Sequence, residues 1–173
     1  MTGRQRLRVI FLLVVFGALC TGCAGTYRVG VEFLPVLRDH FIEYPTIEVD
    51  IAAVTEKEAD EVRQMGVEKY FAPNSGIRER LHSKTFFFFR DGQHTFTLHS
   101  KDPAWKNWLK KKPEYIMVIA SLPFDPSMSS QDDSRYMTIK MNKGRWRIRG
   151  RSQTVNIQVE PGKITPLSQR GNN

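Results

Sequence analysis

Three well-separated stretches of this chain alternate apolar with polar side chains at period two, and that pattern constrains the fold more than any other feature. Ile47, Val49 and Ile51 alternate with Glu48 and Asp50, residues 136–141 alternate again, and Val155, Ile157 and Val159 close the series. Period two puts successive side chains on opposite faces of a sheet, so each stretch reads as a half-buried strand. Residues 115–122, Tyr-Ile-Met-Val-Ile-Ala-Ser-Leu, are nearly all apolar and read as the central strand. Four consecutive phenylalanines, Phe86 to Phe89, cannot all face water. They predict a strand buried on both faces, or one whose second face lies under a loop or a partner. Asp91-Gly92 directly after them predicts a hairpin into residues 94–99. Glu160-Pro161-Gly162-Lys163 turns the strand at 154–159 into another at 164–167.

Two short helices interrupt the strands. Thr55 followed by Glu58 is a capping box, predicting a helix over 56–65 with Ala59, Val62 and Met65 inward and Gly66 as its stop. Asp102-Pro103 opens a second helix, with Trp105, Trp108 and Leu109 as its apolar stripe. Lys110, Lys111 and Lys112 complement its negative end, and Pro113 terminates it. This helix fits two roles, closing one end of a sheet or meeting a lipid headgroup layer, where tryptophan beside lysine is at home. Residues 70–83, with the turn cluster Pro73-Asn74-Ser75-Gly76, read as a loop. About seven strands with two short helical insertions, and no regular helix-strand alternation, predict an all-β antiparallel sandwich. Residues 27–37 have the apolar content of an edge strand, but Pro35 interrupts them. The compact domain is therefore expected over 46–167, preceded by a tether at 23–45 and followed by a flexible polar tail at 168–173.

The N-terminus reads as an export signal. Arg4, Arg6 and Arg8 precede the apolar run from Val9 to Leu19, which is shorter than the roughly 20 residues a membrane span needs. An uncleaved anchor helix is the alternative. The segment Leu19-Cys20-Thr21-Gly22-Cys23 resembles the lipobox of bacterial lipoproteins, in which a small residue precedes a cysteine that receives lipid before cleavage. Gly22-Cys23 matches it, whereas Cys20 occupies the usual leucine position and follows the bulky Leu19. The resemblance implies a signal at 1–22 and acylation of Cys23, with two or three chains that anchor stably. Ala24, rather than aspartate, after the cysteine favours the outer membrane on the sorting rule of such lipoproteins. The signal takes with it three of the 26 basic residues and none of the 18 acidic ones, leaving 23 against 18. One acylated cysteine would remain, so no disulfide is expected. The residual charge suits solubility, or attraction to acidic headgroups and partner surfaces, and no nucleic-acid motif is present.

A catalytic constellation is not legible. His40, His82, His94 and His99 lack metal-ligand spacing, and no Gly-x-Ser-x-Gly elbow occurs. Asp132-Asp133 sits in a serine-rich stretch, and nothing in the spacing pairs Glu114, Asp125 and Asp132 as a glycosidase would. Gly162-Lys163-Ile164-Thr165 lacks the upstream glycine of a phosphate loop. No enzyme activity, metal, cofactor or small-molecule substrate is therefore expected, and function falls to surfaces. The long connection over 55–83 is the candidate surface, with Tyr70, Phe71 and Arg78 as partner-binding anchors.

The order of features resembles the outer-membrane lipoprotein of type VI secretion systems, the TssJ family. The residues that carry it are Thr21-Gly22-Cys23, the strand Pro45 to Ile51, the helical insertion after it, the run Ile116-Met117-Val118-Ile119-Ala120, Gly144-Arg145-Trp146-Arg147, and the strand Val155 to Val159. The resemblance implies a transthyretin-like β-sandwich, no enzymatic activity, and a periplasm-facing protein that holds an IcmF-like inner-membrane partner. It also implies a contact loop between the first two strands, for which 55–83 is the nearest equivalent on this reading. A lipoprotein binding peptidoglycan or other envelope components is the alternative.

Overall fold

The computed structural model describes residues 27–37, 46–89, 92–123, 133–141 and 153–167. The expected lipobox and signal, the serine-rich stretch around Asp132, the Trp146-Arg147 segment and the expected tail at 168–173 lie outside the described residues. Two four-stranded sheets stack, with strand orders β4-β1-β7-β8 and β3-β2-β5-β6. The first sheet comprises β1 (Tyr27–Phe33), β4 (Thr95–Leu98), β7 (Gln153–Glu160) and β8 (Lys163–Leu167). The second comprises β2 (Ile47–Val54), β3 (Lys84–Phe88), β5 (Tyr115–Ala120) and β6 (Tyr136–Lys140). The all-β sandwich is thus the architecture found, with β5 an inner strand as its apolar run requires.

Residues 27–33 are not part of a tether. Tyr27, Val29, Val31 and Phe33 are buried while Arg28, Gly30 and Glu32 face outward, a complete period-two strand that ends before Pro35. This β1 is also no edge. It lies between β4, antiparallel, and β7, parallel, with Val31 opposite both Phe96 and Ile157. Its β7 ladder is the one parallel pairing among the described strands, in a sandwich otherwise antiparallel. The described domain therefore begins at Tyr27 rather than Thr46, and the connection between the first two strands is residues 34–46 rather than part of 55–83.

The expected hairpin after the phenylalanines does not form, because β3 and β4 belong to different sheets. Phe86 and Phe88 point inward from β3, and Phe96 meets them from the opposite sheet, its ring centroid 5.3 Å from Phe86 and 4.7 Å from Phe88. Phe33 stacks on Phe88. Chain crossing at this corner lets three strands contribute aromatic rings to one core layer, which a flat hairpin would place side by side on one face. Phe87 and Phe89, at odd positions, remain 46% and 55% exposed.

The inner strands of the second sheet, β2 and β5, are buried on both faces. Ile51 and Val118 pair in one register position and Asp50 and Ile119 in the next, and all four are buried. The outer face is covered by three helices from the β2–β3 connection, α1 (Glu56–Met65), α2 (Val67–Phe71) and α3 (Gly76–Leu81). The capping box at α1 forms as predicted, Thr55 Oγ1 accepting from the Glu58 N–H while Glu58 accepts from the Thr55 N–H at 2.9 Å. Ala59 and Val62 are buried beneath it. Two further helices stand where a loop was expected. Val67 and Tyr70 (i, i+3) and Ile77 and Leu81 (i, i+4) are buried, an apolar stripe too short to read against the turn residues around Asn74.

A fourth helix, α4 (Pro103–Trp108), extends through a 3₁₀ turn at Leu109–Lys111. Asp102 caps it by accepting from the Ala104 N–H at 2.9 Å. Trp105 and Trp108 are buried, and their indole N–H groups donate at 3.1 Å to the carbonyls of His99 and Leu81. The helix closes one end of the sandwich, where Tyr27 and Trp105 lie with ring centroids 6.1 Å apart.

Candidate functional site

Two buried charge clusters and one exposed apolar surface stand out. The first cluster centres on Asp50, fully buried on the outer face of β2. Its carboxylate accepts from Arg78 Nε at 2.8 Å and Nη2 at 3.2 Å, from Thr85 Oγ1 at 2.6 Å and from the Tyr70 hydroxyl at 3.0 Å. Arg78 also donates to Glu48 at 2.5 Å and lies 4.8 Å over the Phe71 ring, while the Tyr70 hydroxyl lies 2.7 Å from Ser83 Oγ. A buried carboxylate needs this number of donors to offset lost hydration.

The two titratable partners of Asp50 are both held in their ordinary neutral-pH forms, Tyr70 protonated and Arg78 charged. Burial, reinforced by the charge of Asp50, pushes the Tyr70 phenol far up. Burial would weaken the Arg78 charge, but the hydrogen bonds it donates to Asp50 and Glu48 outweigh it and hold the guanidinium protonated. The cluster is a clamp fixing α2 and α3 to the sheet. Tyr70 is completely buried and so cannot be a surface anchor as expected. Arg78 is about a quarter exposed and already saturated by carboxylates, and Phe71 is half-buried beside it. Asp50 itself escaped the sequence reading because alternation marks it as outward, and only the helices above it bury it.

The second cluster is Arg135, whose guanidinium donates to both Asp133 oxygens at 2.8 and 2.6 Å, to the Leu122 carbonyl at 3.1 Å, and pairs with Glu68 at 2.7 Å. It joins the end of β5, the start of β6 and α2. Burial raises the Asp133 carboxyl, but the Arg135 hydrogen bonds outweigh it and hold the group below its usual range. The Arg135 hydrogen bond likewise lowers Glu68. Groups lowered in the folded state contribute stability above their unfolded values of about 4, and that contribution disappears as pH falls through the lower folded values. Asp133→Asn is therefore expected to lower the urea midpoint at neutral pH, with the gap to the parent narrowing as the pH falls below about 5. A gap independent of pH would refute this assignment.

The exposed surface lies at the end opposite α4. Val36, Phe87 and Phe89 are the large apolar side chains left open among the described residues, at 50%, 46% and 55% exposure. Val36 lies three residues past the end of β1, and Phe89 directly follows β3, the two strand ends whose Phe33 and Phe88 rings stack. Phe87 stands opposite Glu48 near the start of β2. The alternation of the phenylalanine run marks two of these residues, while Val36 carries no signal in the sequence. Among the described residues there is no cluster of three metal-ligating side chains, and no helix is long and apolar enough to cross a membrane.

No family model and no curated protein matches the sequence. Solved structures do match. The Serratia marcescens Lip protein, a membrane-bound component of the type VI secretion system, superposes with a TM-score of 0.55 at 11% identity, covering 85% of this chain and 99% of that one. A chain of a type VI membrane complex gives 0.53 at 11% identity over 84% and 99%. A chain from a structure of the TssM C-terminal domain of the type VI system from EAEC gives 0.50 at 9% identity over 83% and 98%. At these identities the likeness is one of fold, and the sandwich described above is the fold these proteins share.

Proposed function

We propose that this chain is a TssJ-type lipoprotein, acylated at Cys23 and held at the outer membrane, that anchors a type VI secretion envelope complex by binding the periplasmic domain of an IcmF-like inner-membrane protein. The observation that carries this reading is the fold it shares with a membrane-bound component of a type VI secretion system over 85% of the chain. Three features support it. The buried charges are locked in structural clamps, which leaves surfaces as the means of action. The lipobox at Thr21-Gly22-Cys23 belongs to a protein fastened at its N-terminus. The end of the sandwich away from that N-terminus carries Val36, Phe87 and Phe89 in the open.

Exposed aromatic residues of this kind are the usual anchors of a protein interface. The double variant Phe87→Asp, Phe89→Asp is expected to weaken binding of the partner's periplasmic domain by at least about thirtyfold, as loss of a central aromatic anchor does. Its unfolding midpoint should stay close to that of the parent, since both rings are half exposed already. Unchanged binding would remove this surface from the interface. Retention on isolated peptidoglycan without binding to the inner-membrane domain would favour the cell-wall alternative.

A further inference from the structure

We infer that the α4 end of the sandwich is a basic face that docks on an anionic lipid bilayer; this rests on the acylation of Cys23 proposed above. Four Cα steps separate Cys23 from Tyr27, a reach of at most about 15 Å however the intervening residues run. Tyr27 begins β1, and its ring lies 6.1 Å from that of Trp105 in α4. A lipid on Cys23 therefore brings α4, and not the opposite end of the domain, to within a short distance of the headgroups.

The residues at that end suit the surface they would meet. Five lysines, Lys101, Lys106, Lys110, Lys111 and Lys112, fall within twelve residues that hold one acid, Asp102. All five are exposed, while Trp105 and Trp108 on the same helix face the core. Asp102 is occupied as the cap of α4 and lies 3.5 Å from Lys84, and Glu58 holds Lys111 at 3.2 Å. Lys101, Lys106 and Lys112 have no acidic partner among the described residues, and Lys110 reaches only Asn107, at 3.5 Å. Glu114, whose N–H donates to the Val54 carbonyl, and Glu56, two residues beyond Val54, also lie toward this end, yet the five lysines outnumber them. Of the two roles open to this helix from its sequence, the buried tryptophans take the first, closing the sheet. The lysines are left for the second. Their positive potential would hold the domain upright against the bilayer and turn the end bearing Val36 and Phe89 away from it.

The test uses the full chain, processed and reconstituted into vesicles of phosphatidylcholine alone or with a third phosphatidylglycerol. Acetylation of each lysine is followed by mass spectrometry, which also reads the acyl group on Cys23. Lys101, Lys106, Lys110 and Lys112 should react at least about threefold more slowly in the anionic vesicles, and added salt should restore their rates. Lys163, in the turn at the far end, should react alike in both. With Cys23 acylated, equal lysine rates in the two lipids overturn the basic face. If Cys23 carries no lipid, the anchoring reading fails by itself, and flotation of that chain with the same vesicles decides the face. Binding to anionic but not neutral vesicles, lost by roughly fivefold per lysine in the Lys101→Gln, Lys106→Gln, Lys110→Gln and Lys112→Gln series, supports it. Binding to neither overturns it.

Discussion

Arg78→Ala is expected to destabilise the domain by about 3–5 kcal/mol, because it strips a fully buried carboxylate of its main charge partner. Asp50 has no exposed surface, and Arg78 supplies two of the four hydrogen bonds described to its oxygens. Thr85 and Tyr70 would remain, but neither carries a compensating charge. A loss of this size is a large share of the roughly 5–15 kcal/mol by which a domain is stable, and corresponds to a fall in melting temperature of about 6–20 °C. Arg78→Lys should recover only part of the loss, since an ammonium cannot bridge Asp50 and Glu48 with a planar fork. The informative control is the double variant Asp50→Leu, Arg78→Leu. Removing both leaves no fully buried ion without a partner, since Glu48, which also loses Arg78, is about a third exposed to water, so the double variant should be markedly more stable than Arg78→Ala alone. Thermal unfolding of the four proteins measures this, and a double variant no better than the single one would show that Asp50 is not the source of the cost.

Trp108→Ala should be of similar size, about 3–5 kcal/mol, through a different mechanism. Trp108 is 1% exposed, meets Trp105 edge-to-face at 5.2 Å, and donates its indole N–H to the Leu81 carbonyl. Truncation leaves a void at the end of the sandwich and an unpaired carbonyl at the end of α3. Trp108→Phe keeps most of the packing and loses the donor, so it should cost about 1–3 kcal/mol. Urea unfolding of the pair separates the two contributions; equal losses would assign the whole effect to the hydrogen bond. Because α4 carries the basic face, Trp108→Ala is also expected to loosen the lysines from their place beside Tyr27, which Trp108→Phe should not.

The parts of the fold that were legible in the sequence are those whose causes are local. The capping box at Thr55 and Glu58, the Asp102 cap and the buried stripe of α4 each depend on residues within one or two turns of helix. The strands at 47–54, 115–120, 136–140 and 153–160 follow from period two or from a continuous apolar run. The β7–β8 turn follows from Pro161-Gly162, where Gly162 adopts φ 74°. The absence of a legible catalytic motif pointed to surfaces, although the particular surface chosen, around Tyr70, Phe71 and Arg78, lies largely over a buried clamp.

What the sequence by itself determined, then, is the set of strands and capped helices and a lipobox-like N-terminus, because backbone propensity and side-chain period act over a few residues. Tertiary structure alone decided which strands pair, since hydrogen bonds between strands join residues far apart in the chain. It made β1 an inner strand parallel to β7, sent β3 and β4 to different sheets, and laid α2 and α3 over Asp50. It also brought Tyr27 against Trp105, and so set the lysines of α4 beside the start of β1 while leaving Val36, Phe87 and Phe89 open toward the other end. Burial and proximity are properties of the assembled layers, and no local pattern encodes them.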